Sequence, residues 1–150
     1  MHFDSLVDAL EFAIEKEEEA EQFYTELAEK MERPHMARIF ENFAEEERGH
    51  RRMIKDVIMG RPSFVPQPRV ADLQVSDHLM DVAPSPDMDY QQALIFAMKA
   101  EKAAYALYTQ LSEASEDSAM RDLFHLLAQE EAKHKRRFEI EYDEQFSGEN

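Results

Sequence analysis

Residues 43–53, FAEEERGHRRM, and residues 127–137, LAQEEAKHKRR, carry the pattern that decides the fold of this chain. Each stretch contains a Glu-x-x-His motif, and the motifs begin at Glu47 and Glu131, which are 131 − 47 = 84 residues apart. Residues three apart share one face of an α-helix, so each glutamate and its histidine are expected to point the same way. The pattern therefore predicts two equivalent helices that each present a carboxylate and an imidazole.

The repeat extends beyond these two motifs. The same offset of 84 joins Glu17 to Glu101 and Tyr24 to Tyr108. The chain thus reads as two copies of one unit, with four carboxylates and two imidazoles shared between them. Four inward glutamates and two inward histidines are the ligand set of a two-metal carboxylate site in a four-helix bundle.

Composition favours an all-α chain. The sequence has 150 residues, only 3 glycines and 33% charged residues, which suits one domain over residues 1–150 built of long helices. The absence of cysteine excludes disulfides, iron–sulfur clusters and thiolate zinc sites. A formal charge of −16 argues against nucleic acid and anionic lipid as partners. No apolar run is long enough to span a bilayer and no signal peptide is evident, so we expect a cytoplasmic protein.

Helix start and stop signals divide the chain into two hairpins. The predicted helices cover 5–31, 35–59, 89–113 and 118–142, so the hairpins span 5–59 and 89–142. Five of the 6 prolines fall in the connection 60–88, whose middle, 70–80, is predicted to form a short helix. A long crossover between antiparallel hairpins is typical of a ferritin-like four-helix bundle.

Glutamates interrupt an otherwise apolar stripe at the centre of each predicted helix. The four are Glu17, Glu47, Glu101 and Glu131, and 30 residues separate the two members of each hairpin (47 − 17 and 131 − 101). In each hairpin the midpoint between the two glutamates falls at the predicted turn, so all four glutamates should lie in one layer. A single Glu-x-x-His motif would be a chance occurrence in so acidic a chain. Four matched stripes, however, would bury four carboxylates together, and these require a compensating cation. The central layers offer no lysine or arginine, which favours metal ions.

The predicted ligand set and the excluded histidines follow from this register. The predicted metal ligands are Glu17, Glu47, His50, Glu101, Glu131 and His134. The predicted non-ligands are His2, His35, His78 and His125. Tyr24 and Tyr108 lie two turns beyond a ligand glutamate on the same face, where they either pack as ordinary core aromatics or donate to a metal-bound carboxylate.

The four predicted helices resemble those of the rubrerythrin group of ferritin-like proteins. The resemblance rests on AIEKEEEAEQFYTELAE (13–29), FAEEERGHRRMI (43–54), AMKAEKAAYALYTQLSE (97–113) and LAQEEAKHKRRF (127–138). It implies two iron ions, with manganese or zinc as alternatives. It also implies bridging roles for Glu47 and Glu131 and terminal nitrogen ligation by His50 and His134.

The resemblance further implies reduction of hydrogen peroxide, or of dioxygen, at a di-iron centre. The chain departs from the group in two ways. It has no cysteine and so no rubredoxin domain within its 150 residues, which implies a separate electron donor such as a rubredoxin-like protein. It also has Ala104 where the group carries a further ligand glutamate. A homo-oligomer, with a dimer favoured, is expected.

Three functions remain open at this point. The first is a di-iron peroxidase or oxidase, with Tyr24 and Tyr108 supporting the ligands. The second is an iron-binding ferroxidase for storage or detoxification. The third is a bundle in which the metal has only a structural role.

Overall fold

The computed structural model describes residues 6–60 and 88–147, which form four α-helices of 25 residues each. The helices are α1 (Leu6–Lys30), α2 (Pro34–Ile58), α3 (Tyr90–Ala114) and α4 (Ser118–Tyr142). Each helix begins and ends within one residue of its predicted bounds, and the described residues contain no strand. The short helix predicted at 70–80 lies outside the described residues. The described chain falls into two compact units, one hairpin in each.

Local sequence signals set the helix ends. At the start of α3, the Gln92 backbone N–H donates to Asp89 Oδ1 at 2.8 Å, and the Asp89 N–H donates to Gln92 Oε1 at 3.1 Å. This reciprocal pair is a capping box, which satisfies two backbone donors that the helix itself leaves without partners. Pro34 occupies the first turn of α2, and Gly60 follows its last turn with a φ of 74°. That left-handed backbone favours glycine and ends the helix.

The first hairpin packs α1 against α2 around an aromatic centre. The ring of Tyr24 stacks on Phe40 with centroids 6.3 Å apart and tilts against Phe43 at 5.7 Å. Leu10 and Ile54 extend this core toward the open end of the hairpin. The buried face of each helix follows the predicted stripe, so the 3.6-residue period located the core correctly.

The second hairpin repeats the same packing with α3 and α4. Tyr108 stacks on Phe124 with centroids 6.3 Å apart, and these residues lie 84 positions after Tyr24 and Phe40. The buried arc of α4 is wider than its predicted stripe and includes Gln129, Lys135 and Glu139. The chain then continues as a π-helical turn, Asp143–Ser147, which the sequence analysis did not predict.

Aromatic residues hold that terminal turn against the hairpin. Phe146 contacts the rings of Tyr90 and Tyr142 at centroid distances of 6.2 and 5.4 Å. The Tyr90 hydroxyl donates to Glu141 Oε1 at 2.7 Å, and burial and this hydrogen bond raise the pKa of Tyr90. None of the helices described is both long and apolar enough to cross a bilayer.

Candidate metal centre

Three predicted ligands meet in the first hairpin. Glu17 comes from the middle of α1, and Glu47 and His50 lie one turn apart on α2. His50 Nδ1 is 3.5 Å from Glu17 Oε2 and 3.6 Å from Glu47 Oε2. All three side chains are buried. We call this group the first triad.

The second hairpin builds the same group at the equivalent positions. His134 Nδ1 lies 3.5 Å from Glu101 Oε1 and 3.7 Å from Glu131 Oε2. Glu101, Glu131 and His134 are buried, and we call them the second triad. The separations in the two triads agree within 0.1 Å, so the repeat in the sequence is also a repeat in the geometry.

Electrostatics in the first triad show what the carboxylates require. Burial raises the pKa of Glu17 to about 8 from its ordinary value of 4.5, and the charge of Glu47 beside it adds to the rise. His50 acts in the opposite direction but does not offset the other two effects. A carboxyl in such surroundings stays ionised at neutral pH only if a cation compensates it.

The triads fit a metal ion by chemistry and by spacing. Carboxylate oxygens with one imidazole nitrogen form a donor set for borderline and hard transition metals such as iron and manganese. Two donors that each lie about 2.1 Å from one ion, at angles of roughly 90–120°, would be about 3.0–3.6 Å apart. The observed nitrogen–oxygen separations of 3.5–3.7 Å lie at the upper end of that range or 0.1 Å beyond it. Within each triad the donor atoms all lie inside 4.8 Å of one another.

The other predicted site residues have mixed outcomes. Both tyrosines are buried, and their rings pack on phenylalanines as the core interpretation predicts. Donation from either hydroxyl to a ligand glutamate stays a prediction. His35 and His125 are exposed, as expected for non-ligands, whereas His2 and His78 lie outside the described residues.

One expectation about the charge balance was wrong. The sequence analysis placed no lysine or arginine in the central layers, yet Lys135 is only 4% exposed and follows Glu131 by one turn on α4. Its Nζ lies 3.5 Å from Glu139 Oε2, and Glu139 is fully buried. Lys135 lies beside the stripe rather than on it, so the period of the apolar residues gave no sign of its burial. The wider buried arc of α4 is what encloses it.

An ion-pair cluster beside the first triad also escaped the sequence analysis. Glu21 accepts from Arg51 Nη1 at 2.5 Å and from Arg48 Nε. Although partial burial acts the other way, the hydrogen bonds from Arg51 and Arg48 hold the pKa of Glu21 below its usual range. The available signal was the arginine directly after each α2 ligand, at 48 and 51.

Comparison with known proteins agrees with the fold, and a family match covers the residues of the first triad. The rubrerythrin family model matches residues 8–79, which include Glu17, Glu47 and His50. The match stops before the second hairpin, where the ligand assignment rests on the repeat and on the distances above. No curated protein matches the chain.

Two solved structures share the fold over almost the whole chain. An uncharacterised conserved protein from Magnetospirillum magnetotacticum MS-1 is 23% identical with a TM-score of 0.71, covering 93% of this chain and 95% of that one. A hypothetical protein from Pyrococcus furiosus is 25% identical with a TM-score of 0.64, covering 93% and 89%. The predicted fold class, a ferritin-like four-helix bundle, is confirmed. Over residues 8–79 the chain is similar to rubrerythrins, and its 150 residues contain no rubredoxin domain.

Proposed function

We propose that the six triad residues hold two iron ions and that the protein reduces hydrogen peroxide with electrons from a separate donor. One observation carries the proposal: each hairpin buries two glutamates and one histidine whose donor atoms are spaced as one ion requires. Two such groups of three, one in each copy of the repeat, match a two-metal site.

The buried charge supports a metal rather than a bare carboxylate cluster. Without a cation, Glu17 keeps its proton up to about pH 8 because burial and Glu47 disfavour its ionised form. Four glutamates buried in such surroundings without a cation would lower the stability of the folded protein and serve no function. Metal ions give those carboxylates a function and neutralise them.

The donor set supports iron. Four carboxylates to two imidazoles, with no thiolate, suit iron or manganese better than zinc. The rubrerythrin match over the first triad points the same way. Zinc and manganese are the alternatives that metal analysis would reveal.

The chain's own residues would have three roles at this site. Each histidine would supply one terminal nitrogen through Nδ1, the ring atom that faces the glutamates. By resemblance, Glu47 and Glu131 would bridge the two ions. The buried surroundings would keep solvent from the reacting oxygen atoms. If bound, two ferrous ions would supply the two electrons which, together with two protons, reduce one hydrogen peroxide to two molecules of water.

A ferroxidase is the second candidate, and one residue favours it. Ala104 stands on α3 where rubrerythrins carry their extra glutamate, so the ligand set is the symmetric one of ferritin-like proteins in general. In that case dioxygen would be the natural oxidant and iron the substrate.

Stopped-flow reoxidation of the anaerobic ferrous protein distinguishes the two candidates. We expect hydrogen peroxide to oxidise it faster than dioxygen, and steady turnover to require an added reductant because the chain has no cysteine to hold a redox centre. Dioxygen equal to or faster than peroxide, with ferric mineral accumulating, would establish the ferroxidase instead. Apoprotein loaded with zinc is the control, since it binds metal without redox chemistry.

A further inference from the structure

The two triads are copies, but their surroundings are not. Under the offset of 84, Glu21 corresponds to Tyr105, Arg48 to Ala132 and Arg51 to Lys135. The first hairpin therefore has a carboxylate and two guanidinium groups where the second has a phenol, a methyl group and an ammonium group. Residue type alone prevents the second hairpin from forming the same cluster.

The cluster in the first hairpin links its two helices at the level of the ligands. Glu21 lies one turn after Glu17 on α1, and its two oxygens accept from two different arginines of α2. Those arginines directly follow the ligands of α2, Arg48 after Glu47 and Arg51 after His50. We call Glu21, Arg48 and Arg51 the clamp.

The geometry of the clamp makes it more than a surface ion pair. Glu21 is 19% exposed, Arg51 22% and Arg48 37%, so the charges are partly withdrawn from water. Charge-assisted hydrogen bonds to both oxygens of one carboxylate fix its position and that of both donors. Because they join α1 to α2, they also fix the helix register that brings Glu17 within 3.5 Å of His50.

The corresponding cation in the second hairpin behaves differently. Lys135 contacts Glu139, four residues farther along the same helix. That contact lies within α4 and does not tie the register of α3 to α4.

We propose that Glu21 is a positioning residue that makes the first triad the tighter of two metal half-sites, so that metal ions bind in a fixed order. The inference rests on the proposed function only in requiring that both triads bind metal. It adds a difference between them that neither the ligand set nor the family match contains.

An anaerobic Co²⁺ titration followed by visible absorption tests this order, because the d–d bands report the ligands of each bound ion. We expect wild-type protein to bind in two phases. His50→Ala should remove the tighter phase, and His134→Ala should remove the weaker one. Glu21→Gln should lower the Co²⁺ affinity of the tighter phase about tenfold and leave the weaker phase in place. Tenfold is the lower end of the loss expected when a residue that supports a metal ligand is removed.

Glu45→Gln is the matched control. Glu45 also binds Arg48, but it lies on α2 with Arg48 and is exposed, so its loss removes the same charge without separating the helices. It should change the tighter phase less than twofold. If Glu21→Gln folds poorly, Arg48→Ala serves instead, since it installs the residue of the second hairpin at a position where alanine favours the helix. That variant should also weaken the tighter phase.

Three outcomes would overturn the inference. They are equal effects of Glu21→Gln and Glu45→Gln, a single phase in the wild type, or loss of the tighter phase in His134→Ala rather than in His50→Ala. Failure of the metal assignment on which the inference rests looks different, because wild-type protein would then bind no Co²⁺ at either triad, whereas a change of activity from peroxidase to ferroxidase would leave both phases in place.

Discussion

At the scale of single residues, Glu17 is the group whose chemistry depends most on the metal. Its pKa of about 8 in the metal-free protein means that it holds a proton at neutral pH which the unfolded chain, with a value near 4.5, has released. Stability therefore falls as pH rises between these two values and levels off above 8. The loss over that range should be of the order of a few kcal/mol.

Urea unfolding of metal-free protein from pH 5 to 9 measures this slope. Glu17→Gln should flatten it, because the amide cannot ionise, and should leave the protein more stable than wild type above pH 8. Glu18→Gln is the control, since Glu18 is an exposed neighbour on the same helix. Equal slopes in wild type and Glu17→Gln would show that Glu17 does not carry the buried charge.

The sequence predicts the ligands on the apolar stripes but not the charged residues beside those stripes. The ligands Glu17, Glu47 and His50 and their repeats could be predicted because a polar residue on an apolar stripe stands out against the helical period. Lys135 and Glu21 could not, because each lies off the stripe. Their burial and partners depend on how far the neighbouring helix covers them, which is a property of packing and not of spacing.

At the scale of helices, the capping box at the start of α3 should contribute measurably to stability. Asp89→Ala removes the acceptor for the Gln92 N–H and should cost about 1 kcal/mol of unfolding free energy. Arg33 precedes α2 without a side-chain cap, so Arg33→Asp should stabilise by a similar or smaller amount. Chemical denaturation of both variants measures these changes. We expect Asp89→Ala to lower the free energy of unfolding and Arg33→Asp to raise it.

Helix bounds were predictable to within one residue because prolines, caps and short links punctuate this sequence clearly. The buried arc of α4 was not, since it extends past the predicted stripe and includes Gln129 and Glu139. The π-helical turn after Tyr142 was also missed. It is held by the contact between Phe146 and Tyr90, which is 146 − 90 = 56 residues earlier, and no local signal reports such a contact.

At the scale of the whole molecule, metal and stability should be coupled. A ligand that binds only the folded chain stabilises it by RT ln(1 + [L]/Kd), about 2.7 kcal/mol per site at a hundredfold excess over Kd. Anaerobic Fe²⁺ should therefore raise the melting temperature, and it should also remove most of the pH dependence between 5 and 8 because the bound ions replace the protons. Thermal melts of metal-free and iron-loaded protein with the same pH trend would contradict a buried carboxylate site.

The account is tested most directly by the iron content of reconstituted protein, measured by elemental analysis beside His50→Ala and His134→Ala. Wild type should hold two irons per chain, and each histidine variant should keep about one, because each triad supplies the only imidazole of its half of the site. Glu47→Ala should hold none if that carboxylate bridges both ions. One iron or none in the wild type, or two irons in both histidine variants, would contradict the site as assigned.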